Sequence, residues 1–201
     1  MKRNRLEISL AIALVISIVF SLVGFDNECE KIRDSVLRLH ILANSDSPED
    51  QQVKLMVRDA LLASGTEIFS GKTNVSDAEE ILSNEKEKLV ETANKVLKEN
   101  GFDYIAKIGF AEEYFTTRTY EDYTLPAGKY RAIKVVLGEG EGHNWWCVMF
   151  PPLCLPAAAG NTEIDLYITK EGGSIIRSKP QYEIRFKLIE IIESIKNKLY
   201  N

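Results

Sequence analysis

Residues 138–154 read GEGEGHNWWCVMFPPLC, the stretch of the chain least like ordinary globular sequence. It contains both tryptophans, and its two cysteines, Cys147 and Cys154, flank a Pro-Pro corner. Three glycines at alternate positions come first, so the backbone there can adopt positive φ or approach another surface closely. Because consecutive strand residues point to opposite faces, Trp145 and Trp146 are predicted to lie on two sides of a sheet, one inward and one facing a second layer or a partner. Burial of both rings is the simpler alternative.

The segments before this stretch predict antiparallel strands. Residues 104–115 and 130–137 alternate in polarity, and the Leu-Pro-Ala-Gly turn between them completes a long β-hairpin. Residues 145–150 add a third strand of the meander. That strand ends at the Pro-Pro corner, because proline cannot donate a hydrogen bond to a sheet.

Further strands are predicted at both ends of the folded region. Residues 36–42 place leucine and isoleucine on one face and Arg38 and His40 on the other. Residues 164–169 and 174–177 are expected to pair across a Glu-Gly-Gly turn. Helices are expected to cover one face of the sheet, which leaves the face with Arg38, His40 and one tryptophan as the second face.

Three helices are predicted around the sheet. Ser47 is the expected N-cap of a helix that starts at Pro48. A capping box at residues 76–79 starts a second helix, which ends near Gly101. Residues 180–199 carry a wide apolar stripe that we expect to pack in the core. The predicted fold class is α+β, an antiparallel meander of about four to five strands packed against helices and preceded by one N-terminal hydrophobic helix.

The N-terminus predicts export. Residues 1–5 are basic, and residues 8–25 form an apolar run that is long enough to cross a bilayer. Positive charge before the run keeps the N-terminus in the cytoplasm, so the rest of the chain is expected outside. The predicted organisation is a signal peptide or membrane anchor at 1–25, a linker or short helix at 26–35, and one extracytoplasmic α+β domain at 36–201.

The charge of the chain argues against polyanionic partners. Residues 1–25 carry a net charge of +2 and the whole chain −5, so the remaining residues carry −7. An acidic body disfavours nucleic acid, whose phosphates require clustered lysine and arginine. It also disfavours adhesion to anionic lipid headgroups or wall polymers. No cofactor or metal is expected.

The cysteines and histidines leave several chemistries open. On the oxidising side of a membrane, Cys147 and Cys154 favour a disulfide, with two free buried thiols as the alternative. Cys29 is the odd cysteine, either free or in an intermolecular bridge. A thiol enzyme would use Cys147 with His40 or His143 as its base. A zinc site from these residues fits by ligand type but not by spacing. A cell-wall hydrolase would need a carboxylate pair at a set separation, for which Glu112-Glu113 and Glu121-Asp122 are the candidates.

Two motifs together resemble the stage II sporulation protein R family of endospore-forming bacteria. They are LHILANSDSPED at residues 39–50, and LPAGKY at 125–130 leading into the run at 138–154. The resemblance implies an exported signalling protein, not an enzyme. It implies secretion across, or anchoring to, the forespore membrane and action in the intermembrane space between forespore and mother cell. There such a protein activates a membrane-embedded aspartic-type protease that processes pro-sigma-E. A structural coat or septal component is a further alternative.

On this interpretation, one surface contacts the protease. The concentration of aromatic, proline and glycine residues in a single loop is typical of binding hot spots. The predicted contact residues are His40, Asn44, Asp46, Gly140, Asn144, Trp145, Trp146, Phe150, Pro151 and Pro152. For His40, Asn44 and Asp46, the turn at the end of the strand and the start of the following helix explain the residue types equally well.

Overall fold

The computed structural model describes residues 2–69, 75–120, 123–151, 168, 170–177 and 180–200. The helices and strands in these ranges are α1 (Lys2–Asp34), β1 (Leu37–Leu42), α2 (Pro48–Phe69), α3 (Val75–Asn84), α4 (Lys86–Glu99), β2 (Ala106–Phe115), β3 (Arg118–Thr119), β4 (Thr124–Leu125), β5 (Gly128–Leu137), β6 (Asn144–Phe150), α5 (Lys170–Ile176) and α6 (Pro180–Tyr200). The predicted α+β class, with an N-terminal apolar helix, is confirmed.

The main sheet is mixed, with the strand order β2-β5-β1-β6. Strand β1 lies in its interior, parallel to β5 and antiparallel to β6. The predicted meander is therefore wrong in its order, although β2 and β5 do form the expected antiparallel hairpin. Helices α2 to α4 connect β1 to the later strands, and a connection of this length permits a parallel pairing that a tight turn does not.

One face of the sheet packs against α2, α3 and α4. Leu37, Leu39 and Ile41 of β1 are fully buried there. The buried residues of β2 and β5 on this face are Ala106, Ile108, Ile133, Val135 and Leu137. Val53, Val57 and Leu61 of α2 and Leu89, Ala93 and Leu97 of α4 complete this first core. The alternation of apolar side chains thus identifies the buried face correctly.

The opposite face forms a second core and is also covered. Phe25, Cys29 and Ile32 of α1 pack there with residues of α5 and α6, and all three are at most 4% exposed. The residues predicted as a linker or short helix thus continue α1 through Asp34. On this face Arg38 is 0% and His40 only 5% exposed, although it is the face predicted to remain outside the helical layer.

The C-terminal elements differ from the predictions. The strand predicted at 174–177 is wrong, because Lys170–Ile176 is a short helix whose Ile175 and Ile176 are buried in the second core. Its predicted partner at 164–169 lies almost wholly outside the described residues. Helix α6 is present, but the apolar stripe expected in the core is largely exposed, with Ile184 at 76% and Ile195 at 54%.

Helix α1 is apolar and exposed before it enters the second core. From Leu6 onward the helix meets the length and hydropathy criteria for crossing a membrane, and only 6% of its most apolar 18-residue segment is buried. The same criteria are met by signal sequences near an N-terminus. The choice between anchor and cleaved signal peptide stays open.

Candidate partner-binding surface

The turn after β1 is organised by the start of α2. Ser47 caps the helix as predicted, since its hydroxyl accepts a hydrogen bond from the Asp50 backbone N–H at 3.1 Å. The buried Asp50 carboxylate accepts hydrogen bonds from Asn44 at 2.8 Å, Ser45 at 2.5 Å and Tyr104 at 2.5 Å. Burial raises the pKa of Asp50, but these hydrogen bonds outweigh it and the net pKa lies below its ordinary value.

The glycine-rich loop folds onto this turn. The backbone N–H groups of Glu141 and Gly142 donate to the carbonyls of Asn44 (3.1 Å) and Ala43 (2.9 Å). The Glu139 N–H donates to the Asn44 side-chain oxygen at 3.0 Å. Residues 43–47 and 138–144 therefore form one continuous patch, which we call the loop–turn surface.

Two of the glycines allow this close approach. Gly140 has φ +71°, a conformation that residues with a side chain rarely adopt. A Cβ atom on Gly142 would lie 2.1 Å from the Ser45 carbonyl oxygen. The alternating glycines thus bring two backbones into contact, as their spacing suggests.

The loop–turn surface contains a charged cluster. Asp46 accepts hydrogen bonds from the backbone N–H of His143, at 2.6 Å, and from its imidazole Nδ1. These hydrogen bonds lower the pKa of Asp46. Lys54 is buried and donates to the His143 carbonyl at 2.8 Å. The Asp46 and His143 side chains remain 55% and 79% exposed, so both are accessible to a partner.

His40 lies beneath this surface in a buried polar row. Its Nδ1 donates to Glu113 at 2.5 Å, and its Nε2 lies 2.9 Å from the side-chain amide of Asn144. Lys134 donates to the second Glu113 oxygen at 2.7 Å. Burial raises the pKa of Glu113, but the hydrogen bonds from Lys134 and His40 outweigh it and the net pKa is lowered. The Trp146 ring stacks on His40 with centroids 3.7 Å apart.

Arg38 is buried among aromatic rings. Its guanidinium lies 4.3 Å from the Phe115 centroid and 5.0 Å from that of Tyr130. It donates to the Cys147 carbonyl at 3.0 Å and to the Tyr120 hydroxyl at 2.9 Å. Burial raises the pKa of both phenols, so they stay neutral, and no carboxylate within the described ranges pairs with Arg38. Ring faces and a carbonyl therefore replace the usual counter-ion.

Known proteins resemble the part of the chain that contains both segments of the loop–turn surface. A model of the family described as stage II sporulation protein R matches residues 33–159, which is more than half of the chain. The chain belongs to the stage II sporulation protein R family. The protein of that name from Bacillus subtilis (strain 168) is 37% identical over 129 residues, covering 64% of this chain and 58% of the relative. The aligned part therefore spans less than two thirds of that relative. No solved structure matches the chain.

The region that matches the stage II sporulation protein R family contains all ten residues predicted to bind a partner. Asn44, Asp46, Gly140 and Asn144 lie together on the loop–turn surface. His40, Phe150 and Pro151 are buried, so they can support this surface but do not form part of its exterior. Pro152 lies outside the described residues. Partner contact by any of these residues stays a prediction.

The tryptophans occupy opposite faces of the sheet. Trp145 packs against the first core, and Arg58 lies 4.5 Å from its ring centroid. Trp146 packs against the second core. Both side chains are half-buried. Each therefore contributes to packing and retains some exposed area for contact.

The thiol chemistry considered from the sequence finds little support. Cys147 is disulfide-bonded and buried, and Cys29 is free and buried. The predicted partner Cys154 lies outside the described residues, so the pairing stays a prediction. Cys147 belongs to the first core, whereas the neighbouring Trp146 and its stacked His40 occupy the second face. The topology thus does not place His40 beside that sulfur.

Several contacts in this region were not predicted from the sequence. Glu113 and Lys134 complete the His40 row, and Tyr104 completes the Asp50 hub. Each comes from a strand or loop distant in sequence from the residue it contacts. A charged residue at an alternate position of a buried strand is the signal that could have pointed to Glu113. Within the described ranges, no group of three or more His, Cys, Asp or Glu could hold a metal ion.

Proposed function

We propose that this protein is an extracytoplasmic sporulation signal that activates a membrane-embedded aspartic-type protease, which then processes pro-sigma-E in the mother cell. Family membership supports a role in sporulation. The exposed apolar α1 supports secretion across, or anchoring to, the forespore membrane. The proposed place of action is the space between forespore and mother cell.

The observation that carries the proposal is that one segment from each of the two family-like motifs, residues 43–47 and 138–144, meets in the loop–turn surface. Backbone and side-chain hydrogen bonds hold its two segments together, and Asp50 and Lys54 anchor them to α2. A preorganised surface binds without a further ordering cost, which is an advantage for a ligand. Its exposed side chains, including Asp46, Glu139, Glu141 and His143, remain available to a partner.

The proposed mechanism is a shift of the protease between inactive and active arrangements. A ligand shifts such an equilibrium only as far as its affinities for the two states differ. The loop–turn surface would contact the external part of the protease and bind the active arrangement more tightly. The protein would then need no catalytic residues of its own.

Co-expression in a non-sporulating host tests this function. The protein, the candidate protease and pro-sigma-E are produced together, and processing is followed by immunoblot. We expect processing only when all three are present. Unprocessed pro-sigma-E, with all three proteins folded and correctly located, would refute the function itself.

A charge-reversal pair tests the surface separately. Glu139→Lys with Glu141→Lys alters the loop–turn surface, and Glu87→Lys with Glu91→Lys makes the same charge change on the exposed side of α4. We expect the first pair to reduce processing strongly and the second to leave it unchanged. Equal processing by both pairs would retain the function and reject this surface as the contact.

The competing proposal is an exported enzyme, either thiol-dependent or a cell-wall hydrolase. Alanine at Cys147, His40 or Glu112, in variants that still fold and bind the protease, separates the two. Loss of signalling with binding intact would favour catalysis. If signalling is lost only in variants that no longer bind the protease, the ligand function is favoured.

A further inference from the structure

Helix α6 has two opposed apolar faces. Phe186 and Ile189 face the body and are at most 5% exposed. The other face carries the exposed stripe, which consists of Ile184 (76%), Leu188 (39%), Ile191 (50%), Ile192 (38%), Ile195 (54%) and Leu199 (75%). A continuous exposed apolar stripe of this length marks a binding surface, because isolated exposed residues would be scattered.

The charged residues of α6 are sorted around the exposed stripe. At 3.6 residues per turn, Arg185 and Lys196 lie along one border of the stripe, and Lys187 and Lys198 lie along the other. Glu190 and Glu193 lie toward the body-facing side, where they pair with Lys187 at 3.1 Å and with Lys196 at 2.7 Å. The Lys187 and Lys196 side chains nevertheless remain 68% and 49% exposed. An apolar stripe between basic borders is typical of helices that lie in the interface of a bilayer, where basic side chains reach the headgroups.

The position of α6 along α1 provides a second observation. The apolar run of α1 ends at Phe25, whose ring lies 5.5 Å from that of Phe186. The adjacent Asp26 pairs with Lys196 at 3.5 Å. Helix α6 therefore meets α1 where its apolar run ends, which is the level of the headgroups if α1 crosses the membrane.

We propose that α6 is an interfacial membrane helix that lies on the outer leaflet with the Ile184–Leu199 stripe toward the lipid. The bilayer is the occupant because the exposed apolar surface of α1 adjoins α6 at Phe25, and because the basic borders complement anionic headgroups. The overall acidity of the chain does not oppose this, since charge attraction to a surface is screened within about 8–10 Å and is decided by the nearest groups. The proposal applies to the protein that keeps α1 and not to a form from which it has been cleaved.

Fluorescent labels at single introduced cysteines test the proposal in the full-length protein. Test labels are placed at Ile191→Cys and Leu199→Cys, a membrane control at Ile16→Cys, and an aqueous control at the exposed Ile105→Cys. The parent protein, whose Cys29 is buried and Cys147 disulfide-bonded, gives the labelling background. Each variant is reconstituted in vesicles of phosphatidylcholine and phosphatidylglycerol, and circular dichroism verifies the fold.

We expect nitroxide-labelled lipid to quench the test labels as it quenches the Ile16 label, with protection from aqueous iodide. The Ile105 label should show the opposite pattern, and quenching of the Ile16 label verifies insertion of α1. Test labels that respond to iodide like the Ile105 label would overturn the proposal. Labels protected from iodide but not reached by lipid quenchers would also overturn it, because a second copy of the chain would then cover the stripe.

Discussion

Substitution of Gly142 by alanine should separate the two segments of the loop–turn surface. The added Cβ would lie 2.1 Å from the Ser45 carbonyl oxygen and 2.9 Å from the Ala43 Cβ. Both segments must then shift, at an overpacking cost of about 1–3 kcal/mol. The shift also weakens the hydrogen bonds from Gly142 to Ala43 and from Glu141 to Asn44, each worth about 1 kcal/mol. If about half of each hydrogen-bond contribution is lost, the total loss is about 2–4 kcal/mol.

Urea unfolding followed by tryptophan fluorescence measures this loss, because Trp145 lies directly after the loop. Gly109→Ala is the matched control, since a Cβ on Gly109 meets nothing within 4 Å. We expect the control to stay within about 1 kcal/mol of the parent, on the stabilising side if the unfolded-chain entropy dominates. Both variants are measured in the same detergent. Equal unfolding midpoints for Gly142→Ala and Gly109→Ala would refute the proposed close packing of loop and turn.

Three further predictions concern the buried charges and α1. Hydrogen bonds hold the pKa values of Glu113 and Asp50 below the ordinary values, so the stability that they contribute is present above about pH 4 and is lost as the pH falls through the lowered pKa values. Urea denaturation midpoints should therefore decrease from neutral to acidic pH. A midpoint that does not change with pH would contradict these hydrogen bonds. Arg38→Ala should cost about 3 kcal/mol or more in urea unfolding and Arg38→Met about half as much, since Met retains the buried stem; equal losses would mean that the stem does not contribute. A chain starting at residue 24 should unfold at the same denaturant concentration as the full chain, whereas one starting at residue 36 should lose about 3–6 kcal/mol because Phe25 and Ile32 are removed from the second core; equal stability of the two truncations would refute that packing.

The sequence predicts which face of each strand is buried better than it predicts which strands lie next to each other. Alternation in β1 identifies Leu37, Leu39 and Ile41 as buried because side-chain direction is a local property. The position of β1 between β5 and β6 depends on pairings with distant segments, which periodicity does not encode. Local rules likewise predict the Ser47 cap but not the contact between His40 and Glu113.

An amphipathic pattern in the sequence also does not show what covers its apolar or polar face, as α6 and β1 illustrate. The stripe at Ile184–Leu199 is visible in the sequence, yet a stripe does not state whether protein or lipid covers it. Arg38 and His40 suggest an exposed face because such residues are usually exposed. Both are buried because side chains from other strands cover them: aromatic rings enclose the Arg38 guanidinium, and Trp146 stacks on His40.

The interior position of β1 has a consequence for the order of folding events. This strand leaves the ribosome early, but both strands that pair with it belong to the later half of the chain. Non-local pairing of this kind slows folding, because the entropy of closing a long loop is lost before the strands gain their hydrogen bonds. Until the later strands are made, both edges of β1 lack their partners, and β6, with its two adjacent tryptophans, is the segment that completes the sheet.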